Sequence, residues 1–470
     1  MRRRLGGFVW SLVLMLGATC GGASNGGGSG GMAATGGGAG TGGSDATGGM
    51  GTTGGSGATG GKGTNGGAST TGGAGMTGGA GATGGAGAGM NGGAGRGGTT
   101  AGAGGGTAQG GRGQGGSASS VGGMGGTSNT LQRVVVYVGS NANDIAAYAL
   151  DAGTGTLTSL GEKTTTGAIP SFMAVTPNRK YLYAVNEYVG QLAAFSIDRT
   201  TGGLTLLNMT SSQGDDPAFV TLDRAAKYVL VSNYNDGTTS IFTLQTDGKL
   251  GTSTDMKSPG ANAHMIVTDP TNQWVFVPCK GADYIAQYRF DAATGTLTAN
   301  SPAHVMTKQG AGPRHLAFHP SRPYAYVINE LDSTLNAYAL SSGGALTELQ
   351  SSSTLPATFS GKSAGAEVRV SSDGRFVYGS NRGHDSIVIF AVAQETGKLT
   401  LVGHQSTGGK TPRSFDIDPS GSVLLVANQD SDNVVTFKID GTSGALTQLK
   451  TLAVSKGPEF VGAFAFPSAP

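Results

Sequence analysis

The motif Gly-x-Leu recurs seven times between residues 155 and 446, ending at Leu157, Leu204, Leu250, Leu297, Leu346, Leu399 and Leu446. Repeats of roughly 40 to 50 residues built from short strands are the mark of radial folds, in which each unit buries its apolar faces against its neighbours. Such a chain is bound to a ring of similar sheets. Function must then reside where the repeats differ.

One repeat illustrates the unit. A turn leads into an inner strand, Pro313-Arg314-His315-Leu316-Ala317-Phe318, then a second strand from Pro323 to Asn329 and a third from Leu335 to Leu340. The alternation continues across a Gly turn into a short fourth strand near Leu346. Four β-rich runs per period, separated by turn residues, predict a propeller blade rather than a helical solenoid. The second strand recurs seven times, at Val135, Tyr181, Tyr228, Trp274, Tyr324, Phe376 and Val423. The inner strand recurs only six times in the same order, starting near Ile169, Asp216, Asn262, Gly312, Gly365 and Thr411. The missing copy stands at the C-terminus, Gly457-Pro458-Glu459-Phe460-Val461-Gly462-Ala463-Phe464. The expected fold is an all-β, seven-bladed propeller over residues 131–470, its first blade completed by this terminal strand. Closure of that kind removes two open sheet edges.

The rest of the chain reads differently. Of 470 residues 88 are glycine, and most precede residue 131. Residues 21–130 hold no aromatic residue and only Asp45, Lys62, Arg96 and Arg112 as charges. Such a segment buries too little apolar surface to offset its ordering entropy. It is expected to be a disordered linker with a reach on the order of 60 Å. Residues 1–20 read as an export signal, with Arg2, Arg3 and Arg4 ahead of the apolar run Phe8 to Ala18. That run is too short to span a bilayer. Its end, Leu16-Gly17-Ala18-Thr19-Cys20, resembles a bacterial lipoprotein signal cleaved before a cysteine that takes lipid. Lipid anchoring at Cys20 is therefore expected, with plain secretion or a retained anchor as the alternatives. Besides Cys20 only Cys279 is present, so no disulfide framework is available. A net charge of +2 with both signs interspersed leaves no electrostatic footprint for nucleic acid.

Two columns of the repeat carry the chemistry. Along the inner strands one column reads Phe172, Phe219, His264, His315, Glu367, Ser414 and Phe460, so its polar members fall in blades four to seven. The column before it adds Arg314 and Arg413. At the end of the second strand a column reads Asn141, Asn186, Asn233, Cys279, Asn329, Asn381 and Asn428. These asparagines are expected to be turn formers that accept left-handed geometry. The following residue varies as Ala142, Glu187, Tyr234, Lys280, Glu330, Arg382 and Gln429, and both columns should meet at one rim. A cluster of His264, Arg314, His315, Glu330, Glu367 and Arg382 would combine a neutral-pH base, carboxylates to orient it and guanidinium groups for an anion. The same residues could equally form a satisfied polar network in the channel. His319, which shares a turn column with Asp223, Asp269 and Asp418, is assigned no chemistry, nor are His304 and His404; His384, in a loop near Arg382, could contact ligand but is expected to serve the turn. No His, Cys or carboxylate set has zinc or calcium spacing, so neither metal nor cofactor is expected.

Gly312-Pro313-Arg314-His315-Leu316, Ala366-Glu367-Val368 and the run from Asp373 to Ile387 resemble the lactonase family of seven-bladed propellers. That family includes the propeller type of 6-phosphogluconolactonase and the fungal carboxymuconate lactonising enzyme. The resemblance covers residues 133 to 466. It implies a metal-independent site on one face of the funnel, with catalytic roles for His264, Arg314, Glu330 and Arg382. The chain departs from the family pattern at Asn262-Ala263-His264, where many members have His-x-His, and at Cys279-Lys280-Gly281, where they have Asp-Leu-Gly. Lys280 could bind an anion there, or simply be solvated. Cys279 reads as a small buried residue.

The function expected on these grounds is hydrolysis of a sugar-type lactone. His264, oriented by Glu330, would take a proton from water, with Arg314 and Arg382 clamping the anionic groups and His315, Glu367, Lys280 and Arg413 binding substrate. Two rivals remain at this stage: a surface-tethered propeller that binds a ligand without catalysis, and a lactone-forming cycloisomerase.

Overall fold

The computed structural model describes residues 133–467, and these form seven antiparallel sheets arranged as successive blades. The export signal expected at 1–20, its Cys20, and the linker at 21–130 lie outside the described residues. Within the first blade, Arg133–Ser140 pairs on one edge with Asp144–Asp151 and on the other with Pro458–Phe466. The last strand of the chain is therefore the inner strand of the first blade, and the ring is closed by backbone hydrogen bonds.

In the fifth blade the strands run Pro313–Phe318, Tyr324–Asn329, Thr334–Leu340 and Leu346–Ser353. The outermost strand is not short, as its sequence suggested: it has eight residues here and eleven in the fourth blade, Thr296–Met306. Its polar, half-exposed pattern hides it from a reading based on apolar alternation. Second strands are the reverse, with Tyr228–Asn233 and Val423–Asn428 buried at every position. Each is covered on both faces by neighbouring blades, which explains their continuous Val, Leu and Ile content.

The seven Gly-x-Leu turns hold the blades to one another. Every glycine of the motif has φ between 70° and 86°, a left-handed conformation that disfavours any residue with a Cβ. In four of the seven turns the carbonyl of that glycine accepts a hydrogen bond from a buried tyrosine of the preceding blade: Tyr137 to Gly202 at 2.8 Å, Tyr183 to Gly248 at 2.8 Å, Tyr326 to Gly397 at 3.2 Å and Tyr378 to Gly444 at 3.0 Å. Burial pushes these phenols above their ordinary range, so they remain donors. Where the seventh blade meets the first, Thr436 Oγ1 donates to Gly155 O at 2.8 Å. The motif leucine is gripped as well. Asn208 accepts from Leu250 N at 3.1 Å and donates to Leu250 O at 3.0 Å, and Gln350 treats Leu399 the same way at 2.8 and 2.9 Å.

A second recurrent device shapes the rim. Inner strands carry a β-bulge at their start: Pro313 pairs with Asn329 but His315 with Ile328, and Pro412 with Asn428 but Ser414 with Ala427. Arg314 and Arg413 are the extra residues, and the same place is held by Ala218 and Glu459 in the third and first blades. A bulge re-aims the side chain it carries, here from the strand face toward the mouth of the ring.

The asparagine column is structural, but not by the expected means. None of its members has positive φ. Asn233, Asn329, Asn381 and Asn428 are buried strand-end residues whose Nδ2 ties adjacent segments together, as when Asn381 donates to Thr354 O at 2.8 Å and Asn428 to Thr407 O at 3.0 Å. The left-handed turn residues lie further along, at Asp283, Ser333, Asp385 and Asp432.

Gly248→Ala should test the clasp. A methyl group there is both strained at φ 86° and in collision with the Tyr181 ring. The expected loss is roughly 2–5 kcal/mol of unfolding free energy, read as a lower urea midpoint at unchanged slope. A midpoint equal to that of the parent would show that the turn is not a stabilising contact.

Candidate functional site

Five residues of the variable column after the asparagines, Glu187, Tyr234, Lys280, Glu330 and Arg382, line one cavity of about 200 Å³. His264 and Arg413 from the inner strands join them, together with Tyr188, Asp216 and Ala218. The bulges and the ends of the second strands thus converge on a single mouth.

Glu330 is the centre of one wall. Its Oε1 lies 2.7 Å from Lys280 Nζ, and its Oε2 lies 3.1 Å from both Arg314 Nε and Arg382 Nη2. Burial alone would raise this carboxyl, but Arg314, Arg382, His264 and Lys280 outweigh it and hold the pKa well below the usual carboxylate range. Lys280 also donates to Tyr234 Oη at 2.8 Å. Three cations around one carboxylate leave this wall net positive.

His264 sits beside it, 6% exposed, with its ring 5.4 Å from Tyr234 and 5.1 Å from His315. The sequence column placed it in an inner strand, yet the strand of the fourth blade is only Val267–Thr268. His264 precedes it and is fixed by its own amide, which donates to Pro278 O at 3.0 Å, and by the bridge between Ala263 and Cys279. Asn262 at φ 53° bends the chain there and donates through Nδ2 to Tyr234 O at 3.2 Å. Burial, then Arg314 and His315, drive the His264 pKa well below 6.5, so the imidazole is neutral at pH 7. Its Nδ1 is buried without a hydrogen-bond partner among the described residues.

Several assigned roles change. Glu330 does not orient His264, because both its oxygens are committed to Lys280, Arg314 and Arg382. Arg314 is 3% exposed and lies behind the cavity, donating to Ala366 O at 2.6 Å, so it fixes Glu330 rather than clamping a ligand. Burial and the nearby Arg382 charge bring its pKa down to about 9. His315 and Glu367 were expected to bind substrate. They are sealed in the channel instead, 3.1 Å apart, with Glu367 also paired to Arg369 and His315 edge-on to Phe172 and Phe219. Here the network reading holds, since the three phenylalanines of that column close the channel above them. Cys279 is fully buried, and burial pushes its thiol up to about 12, which removes it as a nucleophile.

The other wall was not assembled from the sequence. Arg413 pairs with Glu459 at 2.6 Å and lies 3.7 Å from Glu187. Gln429 donates to Glu459 at 2.8 Å. Asp216 adds a further carboxyl, making this side net negative. Glu459 was findable, because it occupies the bulge column of Arg314 and Arg413 once the terminal strand is counted as an inner strand. Asp216 carried no column signal. A wider depression of about 740 Å³ around Trp274, Phe318 and Pro323 lies at the turns joining inner to second strands, on the opposite rim. Its polar residues are spent on those turns, with His319 Nδ1 accepting the Ser321 and Arg322 amides and Asp269 the Gln273 and Trp274 amides. The charged residues of the variable column line the smaller cavity.

The family model described as "Lactonase, 7-bladed beta-propeller" matches residues 134–462. The chain belongs to this family. It is 36% identical over 233 residues to a 6-phosphogluconolactonase of Pectobacterium carotovorum, covering 49% of this chain and 70% of that protein. A 6-phosphogluconolactonase of Yersinia pestis is likewise 36% identical over 229 residues, covering 48% and 68%. In structure the chain is similar to the periplasmic gluconolactonase of Pseudomonas aeruginosa, with a TM-score of 0.66, 30% identity, and coverage of 71% of this chain and 100% of that one. The polarised cavity lies wholly within the part of the chain that the family pattern spans.

Glu330→Gln should leave three cations without their counter-charge and cost roughly 3 kcal/mol or more at neutral pH. Because the folded-state pKa is depressed, this contribution is present above the unfolded value of about 4.3 and is lost as pH falls below it. Thermal melts of parent and variant should therefore differ at pH 7, begin to converge as pH drops below about 4, and meet only as it reaches the depressed folded-state value. A constant gap across that range would contradict the charge role.

Proposed function

We propose that this protein hydrolyses an unphosphorylated sugar-type lactone in the cavity between Glu330 and Arg413. The observation that carries the reading is the pairing, in a member of the lactonase family, of a neutral buried imidazole with a net positive wall at the same cavity. His264 takes a proton from water as the water oxygen adds to the lactone carbonyl. The positive wall, through Lys280 and Arg382, stabilises the oxyanion that develops there. Glu330 holds those cations in place, and Arg314 holds Glu330.

The substrate class follows from the charge pattern. With the carbonyl at the positive wall, the remainder of the ligand faces Glu187 and Asp216. Carboxylates accept hydrogen bonds from ring hydroxyls and repel a phosphate. Location points the same way. An export signal with lipid at Cys20 puts the propeller outside the cytoplasm, where sugar phosphates are not made, and the Pseudomonas aeruginosa relative is described as periplasmic.

His264→Ala is expected to lower turnover of δ-gluconolactone, above its spontaneous hydrolysis, by about 10²–10⁴-fold, with chelator leaving the parent rate unchanged. Full activity in the variant would remove His264 as the base. Absence of turnover on any lactone, with binding to a glycan or protein array, would favour a non-catalytic module. Net ring closure of a hydroxy or unsaturated acid would favour the cycloisomerase. For the anchor, Cys20→Ser should abolish incorporation of labelled palmitate and release the protein from the membrane fraction. Unlabelled parent protein would rule lipidation out.

A further inference from the structure

Two carboxyls that line the cavity take no part in the proton transfer assigned to His264. Glu187 follows the second strand of the second blade and Asp216 precedes the inner strand of the third, one blade before His264 in the ring. Each is 7% exposed and each lines the cavity. Glu187 Oε2 is buried with no hydrogen-bond partner among the described residues, and its Oε1 reaches Arg413 only at 3.7 Å. Asp216 Oδ1 accepts one bond, from the Tyr188 amide at 3.3 Å. Its backbone is held at φ 59°, the left-handed turn that also precedes other inner strands at Asn262, Gly312, Thr411 and Gly457. Ala218, two residues on at the bulge, leaves the space in front of the carboxyl open. An acid at a cavity in no ion pair among the described residues, beside a buried carboxyl oxygen that lacks a partner, is a group placed for use.

We propose that Asp216, coupled to Glu187, is the general acid that protonates the departing ring oxygen when the lactone opens. The inference rests on the hydrolase reading. Water adds to the carbonyl carbon and gives one proton to His264; the tetrahedral intermediate then collapses. Its bond from carbon to ring oxygen breaks, the electron pair passes to that oxygen, and the oxygen takes the Asp216 proton. The product is a hydroxy acid. The proton on His264 returns to Asp216 through water in the open cavity, so one lactone and one water are consumed and both groups are reset. Burial and then the Glu187 charge push Asp216 up to about 6, with Asp215 adding to the rise and the Tyr188 amide and Arg413 opposing it. Tyr188, Tyr234 and Glu459 are the other titratable groups on the elements around it. An acid of that strength donates usefully near neutral pH.

Leaving-group dependence separates this role from a structural one. An alkoxide is too basic to leave unprotonated, whereas a phenolate, from an acid of pKa about 10, is not. The full-length protein and its Asp216→Asn and Glu187→Gln variants are assayed on δ-gluconolactone and on dihydrocoumarin, an aryl lactone. Asp216→Asn should cost about 10²-fold or more in kcat on the alkyl lactone and less than tenfold on the aryl one. The alkaline limb of the parent kcat/KM profile on δ-gluconolactone should vanish in Asp216→Asn and move to lower pH in Glu187→Gln. Equal losses on both lactones, no loss, or an unmoved limb overturns the assignment while leaving the hydrolase reading intact. A parent protein inactive on both lactones overturns the hydrolase reading and this one with it. Matching thermal melts show that the variants are folded.

Discussion

The clasp between a buried side chain of one blade and the Gly-x-Leu turn of the next is the contact on which the ring depends. Each sheet of the propeller has two faces that cannot both be solvated, because second strands such as Tyr228–Asn233 are mostly apolar and buried at every position. Stacking hides those faces, but stacking alone sets neither the angle between blades nor their register. The tyrosine hydroxyl does, since it reaches one carbonyl and only a left-handed glycine presents that carbonyl without a Cβ in the way. The amides of Asn208 and Gln350 add a second point of attachment at the leucine. A ring so pinned offers the rigid rim on which a site can be built.

The site itself comes from a local irregularity used repeatedly. The bulge at the start of the inner strand turns Arg314, Arg413 and Glu459 toward the mouth of the ring, where residues following the second strands meet them. Long charged side chains brought together out of water must compensate one another, and they do so in two unequal groups. Three cations share Glu330, and Arg413 is shared by Glu459 and Glu187. The cavity is polarised as a result. A lactone, with its electrophilic carbonyl at one end and hydroxyl groups at the other, matches that polarity.

How far the site was legible in the sequence depends on the residue. His264, Lys280, Glu330, Arg382 and Arg413 stand out when blades are compared column by column, and all five line the cavity. Column reading failed in two ways. His315 and Glu367 occupy a column facing the channel, and nothing in their spacing says that Phe172, Phe219 and Phe460 stack across the ring to seal them in. Asp216 stands among the inner-strand starts, a series with no chemical pattern, and it reaches the cavity through the left-handed turn before Pro217. Glu330 was legible as a residue but not as a role, since its partners come from three other positions of the ring.

Repetition made the architecture readable from sequence alone: seven similar units, a displaced inner strand at the C-terminus, and turns marked by glycine. Those features are local and recur, so a single chain supplies its own comparison set. Pairing across blades is neither local nor recurrent. Which carboxylate neutralises which cation, which histidine stays open and which is sealed, and where an unpaired acid ends up depend on distances between side chains far apart along the chain, such as Glu187 and Arg413. Only the closed ring brings them within reach of one another.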